Sequence, residues 1–368
     1  MKNLIIVNGA DFRIMCGNEL AVLEALPPSV YELHYDKEKG FFLTDVDGTF
    51  TLSETLYGEV DALTDRVMIS FQKKEGNLGV LLSGPKGLGK TLTVKNICKT
   101  ALERGLPVIL VKEHFGGIVS FIDTICQPCV VVLDEFEKLY PNHQKTEHDE
   151  LEGQDSLLNM FDSVLASKKL FLLTCNDVRN ISEYLLNRPG RIHYHFRMNR
   201  LGICAIREYC TENLMTELRH LIPDICALGT KIPDFSYDML RAVVFEINTY
   251  VCGLEEVKNI LNIDAKVRSP FDYKIYLKSG EVESGSDYVN LADSRWDLDW
   301  YRKSDDHREE ATVNMVEARW TGNDDGSLVL DAEHIIWTPR EKRTTDRIEK
   351  IVFIPARKGY LSGEGYDD

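Results

Sequence analysis

The sequence contains neither a long apolar run nor a framework of paired cysteines. No stretch approaches the roughly 20 apolar residues that a membrane-spanning helix needs. The short apolar run at residues 4–7 predicts a strand rather than a signal peptide. The nine cysteines are scattered, and Cys126 and Cys129 have the spacing of a redox or zinc pair without a second ligand pair. We therefore expect reduced thiols, a cytoplasmic location and no membrane partner.

Positive charge is scarce as well. The chain has 368 residues with 43 Lys and Arg against 59 Asp and Glu, a net charge of −16. Nucleic-acid-binding proteins neutralise phosphates with clusters of lysine and arginine, so this balance weighs against general nucleic-acid binding without excluding a local basic patch. The sequence has no His-Glu-x-x-His motif, which argues against a fused metalloprotease.

The motif at residues 84–91 is the strongest chemical signal in the chain. It reads Gly-Pro-Lys-Gly-Leu-Gly-Lys-Thr, between an apolar run at 79–83 and an amphipathic stretch at 92–102, which completes the strand, loop and helix of a phosphate loop. Its glycines let backbone N–H groups turn towards a polyphosphate. Lys90 would neutralise the β- and γ-phosphates, and Thr91 would supply a hydroxyl ligand to Mg²⁺. The motif predicts binding of ATP or GTP.

Two further strand ends carry polar side chains. The apolar residues 130–133 lead into Asp134 and Glu135, as expected of a parallel strand buried on both faces. Asp134 is placed to hold Mg²⁺, and Glu135 to polarise the attacking water as a general base. A third apolar run at 170–174 leads to Asn176, whose amide can orient the same water.

Two arginines follow in the segment Asn-Arg-Pro-Gly-Arg. Arg188 and Arg191 bracket a Pro-Gly turn, which we expect to hold them rigidly and facing outward. Such arginines suit a charge that reaches the γ-phosphate of a neighbouring subunit, an arginine finger supplied in trans. Taken alone, the segment is only a basic turn, so this interpretation depends on the other motifs.

In their order along the chain, these motifs resemble those of AAA+ ATPases, and more narrowly those of the AAA group with a second region of homology. The resemblance covers about residues 56–263 and includes Gln-Pro-Cys at 127–129 and Leu-Leu-Asn-Met at 157–160. It implies an α/β fold, with a AAA+ P-loop core built on a parallel sheet and a helical lid. It also implies Mg²⁺-dependent hydrolysis of ATP to ADP and phosphate in a homo-oligomeric ring, with six subunits as the expected number.

Carried over residue by residue, the resemblance assigns roles to particular positions. The catalytic residues would be Glu135, Asn176, Arg188 and Arg191. The residues contacting the nucleotide, with the first two lining the adenine pocket, would be Tyr57, Gly58, Pro85, Lys86, Gly87, Leu88, Gly89, Lys90, Thr91 and Leu92. The ligands of Mg²⁺ would be Thr91 and Asp134.

The sequence also departs from the family pattern. His193 stands where the family usually has Asp, which predicts a different subunit contact there. The segment before the Asp-Glu strand is short. Within it, residues 112–117 occupy the place of a substrate-gripping pore loop with Phe115 as its aromatic, although such an aromatic is as often a packed loop residue.

The pattern of periodicities and turns divides the chain into four predicted regions. They are a mixed α/β N-terminal region at 1–55, the AAA+ core at 56–200, a helical lid at 201–263 and an all-β module at 264–368. In the first region we expect a helix at 19–26 and strands at 30–35, 40–44 and 49–52. Strands of the last region are expected at 273–277, 311–320, 328–337 and 348–354. A charged stretch at 142–155 predicts a mobile loop.

A competing motif lies at residues 45–49, Asp-Val-Asp-Gly-Thr. It matches the nucleophile loop of haloacid-dehalogenase-type phosphatases, in which the first Asp attacks phosphate and the second protonates the leaving group. That chemistry needs its own doubly wound sheet around the motif, and here the phosphate loop follows too closely to leave room for one. Asp-Gly between extended stretches is also the commonest hairpin turn, which is the structure we expect.

Three functions fit these motifs. The first is an ATP-hydrolysing AAA+ ring that remodels or disassembles a protein partner, because arginines placed for action in trans require an assembly. The second is a AAA+ loader or switch acting on nucleic-acid machinery, which the net acidity disfavours. The third is an ATP-ordered scaffold whose β module does the binding, which slow turnover with intact acidic residues would indicate.

Overall fold

The computed structural model describes most of the chain, in segments separated by gaps. The described residues are 3–8, 11–16, 21–46, 55–141, 154, 161, 167–186, 188, 190–198, 200–232, 235–261, 263, 268–291, 293–302, 308–337 and 347–356. Across these segments, every helix is too short or too polar to cross a membrane.

A seven-stranded sheet forms the centre of the fold, and a separate antiparallel hairpin precedes it. The hairpin pairs β1 (Asn3–Asn8) with β2 (Asp11–Cys16). The strands of the sheet are β3 (Val30–Asp36), β4 (Gly40–Asp45), β5 (Leu78–Ser83), β6 (Val108–Val111), β7 (Cys129–Leu133), β8 (Lys169–Cys175) and β9 (Ile192–Arg197). Their spatial order is β4-β3-β6-β7-β8-β5-β9, in which β4 is antiparallel to β3 and the other neighbours are parallel.

Helices cover both faces of this sheet, which explains why its central strands are mostly apolar. Every residue of β5, β7 and β8 is buried. One face packs against α1 (Val60–Lys73) and α2 (Lys90–Glu103), and the other against α3 (Ile118–Asp123), α4 (Phe136–Leu139) and α5 (Glu183–Leu186). Because β7, β8 and β5 are neighbours, their carboxyl ends meet at one edge of the sheet, where α/β proteins bind ligands.

A helical lid follows the sheet. Its helices are α6 (Ile203–Asn213), α7 (Ile222–Lys231), α8 (Tyr237–Tyr250) and α9 (Leu254–Ile260). They enclose a core of their own, in which Ile206, Phe235 and Ile247 are completely buried. The Oγ of Ser236 caps α8 by accepting a hydrogen bond from the backbone N–H of Met239 at 3.3 Å.

The rest of the described chain is an antiparallel β module. Its strands are β10 (Ser269–Leu277), β11 (Val282–Val289), β12 (Trp296–Tyr301), β13 (Arg308–Val313), β14 (Arg319–Trp320), β15 (Leu328–Asp331), β16 (Ile335–Trp337) and β17 (Ile348–Pro355). They form a five-stranded sheet, β11-β10-β17-β15-β14, and a three-stranded sheet, β12-β13-β16. Both sheets contribute to one core, in which Phe271, Leu298 and Phe353 are completely buried.

The β module packs directly on the lid. Ala227 of α7 is buried among the core residues of the module, and Trp320 of β14 contacts the cores of both regions. An ion pair joins Arg207 to Asp324 at 2.9 Å. The ammonium group of Lys231 donates a hydrogen bond to the carbonyl oxygen of Val316 at 2.6 Å. Apolar packing and polar contacts therefore both join the lid to the module.

The structure confirms the predicted fold class, a parallel P-loop sheet with helices and additional β sheets. The sheet extends across the predicted region boundary at residue 55, because β3 pairs with β6. The predicted helix at 19–26 is wrong for residues 21–26, which are irregular. The side chain of Gln127 bonds the backbone N–H and carbonyl of Leu26 at 2.7 and 3.0 Å, in place of helical partners.

Several predicted elements lie outside the described residues. They are the strand at 49–52, the segment at 157–160 and nearly all of the charged stretch at 142–155. Two strands of the β module, β11 and β12, were not predicted. The polar residues of β11 obscure its alternation, whereas β12 alternates apolar residues with Asp and carried a strand signal that was overlooked.

Candidate nucleotide-binding site

The phosphate loop lies between β5 and α2, at the carboxyl edge of the sheet. Gly87 and Gly89 have φ angles of 75° and 86°, so the loop turns through left-handed conformations that glycine adopts without strain. Helix α2 then begins at Lys90. The lid reaches this loop, because the backbone N–H of Tyr237 donates to the carbonyl oxygen of Gly87 at 2.9 Å.

A cavity of about 380 Å³ opens in front of the loop. Its lining combines the phosphate loop with the ends of β7 and β8: Lys86, Gly87, Gly89, Lys90, Thr91, Leu92, Asp134, Glu135, Thr174 and Asn176. The fold thus brings together three motifs that are far apart in sequence.

The Lys90 ammonium group is held at the base of this cavity. It donates hydrogen bonds to the carbonyl oxygens of Gly84 and Pro85 at 2.6 and 2.8 Å, and to Oδ1 of Asn176 at 3.0 Å. The residue is only 7% exposed. Burial lowers the pKa of Lys90, and neighbouring groups oppose this shift: Cys175, Glu137, Asp134 and Glu135. The cavity therefore contains an oriented lysine, the residue type that suits a polyphosphate.

The Asp-Glu pair is fixed by Thr174, a residue whose role the sequence did not reveal. Thr174 Oγ1 donates to Oδ1 of Asp134 at 2.5 Å and accepts from the backbone N–H of Glu135 at 2.9 Å. Glu135 itself has a φ of 49°. A left-handed conformation is costly for a residue other than glycine and is often found at functional sites. The threonine at the end of β8 thus stabilises the turn that presents both carboxylates.

Glu135 is partly exposed and ionised. Its carboxylate lies 2.5 Å from the ammonium group of Lys138, and it accepts a hydrogen bond from Nδ2 of Asn176 at 3.3 Å. The hydrogen bond from Lys138 is the main reason why the pKa of Glu135 is below its ordinary value. An ionised carboxylate beside the cavity can accept a proton from an attacking water.

A second glutamate, Glu137, was missed by the sequence analysis. Its Oε1 accepts hydrogen bonds from the backbone N–H of Asn176 at 2.8 Å and from Nδ2 of the same residue at 3.0 Å. The available signal was a third acidic residue shortly after the Asp-Glu pair. Asn176 is therefore bonded to Lys90, Glu135 and Glu137 at once.

Tyr57 and Gly58 lie against the lid. The backbone N–H of Gly58 donates to Oε2 of Glu208 at 2.7 Å, and the Tyr57 hydroxyl donates to Oε2 of Glu212 at 2.9 Å. The Tyr237 hydroxyl approaches the carbonyl oxygen of Tyr57 at 3.4 Å. This segment is thus bonded mainly to α6, and its predicted contact with adenine stays a prediction.

Two other predicted nucleotide-contacting residues, Pro85 and Leu88, contact protein groups that hold the loop. Leu88 is buried in the core of the lid, and it is only 6% exposed. Pro85 contributes the carbonyl oxygen that accepts a hydrogen bond from Lys90. Both residues fix the shape of the phosphate loop through these contacts.

The two arginines differ in placement. Arg188 is exposed, as expected. Arg191 is only 6% exposed, and its Nη1 donates to the carbonyl oxygen of Tyr184 at 2.7 Å. Arg191 directly precedes β9, whose pairing with β5 keeps it against the sheet. The expectation that both side chains face outward is therefore wrong for Arg191.

Phe115 is half-buried rather than extended from its loop. Its ring packs near Tyr35 and Phe41 of the β3–β4 hairpin, with ring centroids 5.5 and 6.4 Å away. This is the arrangement of a packed loop residue, and its contact with a substrate stays a prediction.

The residues that face the cavity fit a nucleotide with Mg²⁺. Mg²⁺ is held by hard oxygen ligands and commonly by one or two carboxylates together with substrate phosphates. The Thr91 hydroxyl and the exposed Asp134 carboxylate line the same cavity and could supply such oxygens. Among the described side chains, no cluster of three or more His, Cys, Asp and Glu offers a protein-only metal site. A metal here would therefore depend on the phosphates as partners.

Comparisons with known proteins agree with this site. Residues 80–200 match the model of the family described as "ATPase family associated with various cellular activities (AAA)". The ATPase family gene 2 protein of Saccharomyces cerevisiae is 27% identical over 222 residues, 56% of this chain and 27% of that protein. Protein mac-1 of Caenorhabditis elegans is 33% identical over 130 residues, 31% of this chain and 15% of that protein.

A bacterial relative matches a longer segment. The ATP-dependent zinc metalloprotease FtsH of Pirellula staleyi is 29% identical over 276 residues, 64% of this chain and 39% of that protein. The matched segments thus span less than half the length of each of these three relatives. The chain thus contains an AAA ATPase domain, and the predicted resemblance to AAA ATPases is confirmed.

Proposed function

We propose that the chain hydrolyses ATP to ADP and phosphate with Mg²⁺ as a subunit of a hexameric ring that remodels or disassembles a protein partner. We place this activity in the cytoplasm, because all eight cysteines with described side chains are unpaired thiols. The AAA domain supports nucleotide binding and hydrolysis. The ring is inferred from the placement of Arg188, and the protein partner from the resemblance to AAA+ ATPases together with the additional β module.

The proposal of a ring rests on the different placement of the lysines and of Arg188. The described residues lining the cavity include Lys86 and Lys90 and no arginine. Arg188 lies exposed beyond the end of α5 in the same subunit. Phosphoryl transfer gains from a guanidinium group that stabilises charge in the transition state. A neighbouring subunit could supply this group with its own Arg188.

The residues of the cavity divide the chemistry among them. Lys90 would neutralise the terminal phosphates, and the backbone N–H groups of the loop would bind their oxygens. Thr91 and Asp134 would hold Mg²⁺, which would neutralise charge on the phosphates. Glu135 would take a proton from the attacking water while Asn176 orients that water.

A mixing experiment tests the ring. Turnover per subunit should rise with protein concentration as rings assemble, and Arg188→Ala should bind ATP but hydrolyse it slowly. An arginine finger contributes on the order of a thousandfold or more to the rate. Mixing Arg188→Ala with Lys90→Ala should therefore restore measurable activity, because an intact cavity can receive an intact Arg188 from its neighbour. Full activity in a dilute monomer, or no rescue in mixed rings that demonstrably form, would contradict the proposal.

A scaffold whose ATP site only orders the oligomer is the second candidate. It is favoured by the β module, which has a complete core and packs on the lid rather than on the nucleotide cavity. Blocking hydrolysis distinguishes the two candidates by what happens to the bound partner. A scaffold would form rings with ATP and bind its partner equally well when hydrolysis is blocked, whereas a remodelling ATPase would bind but fail to release or alter that partner.

A further inference from the structure

Glu137 binds one residue of the site twice. Its Oε1 accepts from both the backbone and the side-chain N–H groups of Asn176, at 2.8 and 3.0 Å. Phe136 is completely buried, which anchors the short helix α4 and lets Glu135 and Glu137 approach Asn176 from the same strand end. Both carboxylates thus accept hydrogen bonds from N–H groups of Asn176.

These contacts fix which way the Asn176 amide points. An asparagine side chain has a donor end and an acceptor end, and here the donor Nδ2 faces the carboxylates of Glu137 and Glu135. The acceptor Oδ1 therefore faces the ammonium group of Lys90 at 3.0 Å. The reverse orientation would place Oδ1 against a carboxylate and the amide N–H groups against an ammonium. Charge on both sides therefore determines this orientation.

The second oxygen of Glu137 indicates that this arrangement is costly. Oε2 is buried and has no hydrogen-bond partner among the described residues. An unsatisfied buried polar atom lowers the free energy of unfolding, and such atoms in native proteins call for an explanation. A carboxylate used only for packing could be replaced by an apolar side chain without this cost. The bonds from Oε1 to Asn176 supply the explanation.

We propose that Glu137 is a positioning residue of the ATPase site, which holds the Asn176 amide so that it links Lys90 to Glu135. This inference rests on the proposed function, because it assigns Glu137 a part in the same reaction. Glu137 acts through Asn176 and does not touch the substrate. The carboxylate is needed as a double hydrogen-bond acceptor.

A double-mutant cycle tests this role. The rate of ATP hydrolysis is measured for the wild type, Glu137→Ala, Asn176→Ala and the double variant, and ATP affinity is measured by equilibrium titration. Misplacing a catalytic group costs on the order of a hundredfold in rate. We expect Glu137→Ala to lower kcat by about that factor with little change in ATP affinity, and the double variant to be no slower than Asn176→Ala. Residues that act as a unit show this non-additivity.

Two further variants separate positioning from folding. Glu137→Gln keeps an acceptor oxygen for Asn176 and should restore most of the lost rate. Glu183→Ala removes an exposed glutamate from α5 and serves as the control. The inference would be overturned if the rate loss of the double variant equalled the product of the losses of the two single variants. It would also be overturned if Glu137→Ala kept the wild-type kcat, or if it lost ATP affinity instead of kcat.

A readout independent of hydrolysis keeps this inference separate from the proposed function. The side-chain amide signals of Asn176 in a nitrogen-15 NMR spectrum, assigned by their absence in Asn176→Ala, report its hydrogen bonds. Glu137→Ala should shift these signals and Glu183→Ala should not. Unshifted signals would overturn the positioning role. If Glu137→Ala shifts these signals but the wild type does not hydrolyse ATP, only the proposed function would be contradicted.

Discussion

The ring of Phe115 lies 5.5 Å from the ring of Tyr35, which places the loop at residues 112–117 against the β3–β4 hairpin. The same loop is held by an ion pair between Lys112 and Glu32 at 2.5 Å. A loop in this position in a threading ATPase is expected to project its aromatic residue. Here the ring of Phe115 packs against the hairpin, and its contact with a substrate stays a prediction.

Phe115→Ala should therefore destabilise the fold. Removal of the half-buried ring should lower the free energy of unfolding by about 1–3 kcal/mol, less than a fully buried phenylalanine would cost. Urea denaturation measures the effect, with Tyr184→Ala as the control because Tyr184 is 69% exposed. An unchanged midpoint for Phe115→Ala would support a projecting pore-loop residue instead.

Glu135→Gln should abolish hydrolysis while ATP binding persists. The substitution removes the carboxylate that activates water but keeps Asp134 and Lys90 in the cavity. Phosphate release and equilibrium ATP titration measure the two properties separately. Turnover near the wild-type rate would show that another group is the base.

Lys90→Ala should weaken nucleotide binding itself. The variant deletes a buried cation that lines the cavity. One hydrogen bond from such a cation to a phosphate would contribute about 1.5–3 kcal/mol, or roughly 10- to 150-fold in affinity. Lys99→Ala is the matched control, since Lys99 is an exposed lysine on the same helix α2. Equal ATP affinity in the two variants would count against the phosphate-loop assignment.

Gly79→Ala should destabilise the core sheet. A Cβ atom at this position would lie 2.0 Å from the carbonyl oxygen of Arg191, because β5 and β9 approach closely there. Forcing extra volume into a packed site costs about 1–3 kcal/mol or more. Gly76→Ala, whose Cβ would have no heavy atom within 4 Å, is the control in the same urea titration. Equal midpoints would show that the strands can separate without cost.

The contact of Lys231 with the β module should make stability depend on pH. Burial is the main cause that lowers the pKa of Lys231 to about 8, from an ordinary value of 10.5. Other charges around it are Lys258, Glu317, Glu255 and Asp224. Between about pH 8 and pH 10.5, the unfolded chain therefore binds more protons at this residue than the folded chain. Stability contributed by this residue must rise with pH across that window.

Thermal unfolding of the wild type and Lys231→Met tests this sign. As the pH rises from 7 to 9.5, the Tm of the wild type should increase relative to that of the variant. Other titrating groups are common to both proteins, so they cancel in the difference. A wild-type Tm that stays constant or falls relative to that of the variant as the pH rises would contradict the shifted pKa.

The nucleotide cavity could be predicted because each of its motifs is local. Residues 84–91 form a continuous loop, and Asp134, Glu135 and Asn176 directly follow apolar strands. Their convergence requires only that the carboxyl ends of parallel strands share one edge. The strand order then brought them into one cavity.

The missed features depend on contacts between distant segments. Thr174 reaches Asp134 only because β8 lies beside β7, and no local pattern specifies that neighbour. Burial of Arg191 follows from the pairing of β9 with β5. Likewise, the bonds from Gln127 to Leu26, which replace helical bonds, join residues about a hundred positions apart.

The lid contacts both the phosphate loop and the β module. Tyr237 bonds to Gly87 on one side, and Ala227 and Trp320 join the lid to the module on the other. A protein bound to the module and a nucleotide bound to the loop would thus act on the same helices. If either ligand favours one lid position, linkage requires each to change the affinity of the other by the same factor. The effect of nucleotide on the affinity of the partner could then be measured as the change that the partner causes in the dissociation constant of the nucleotide.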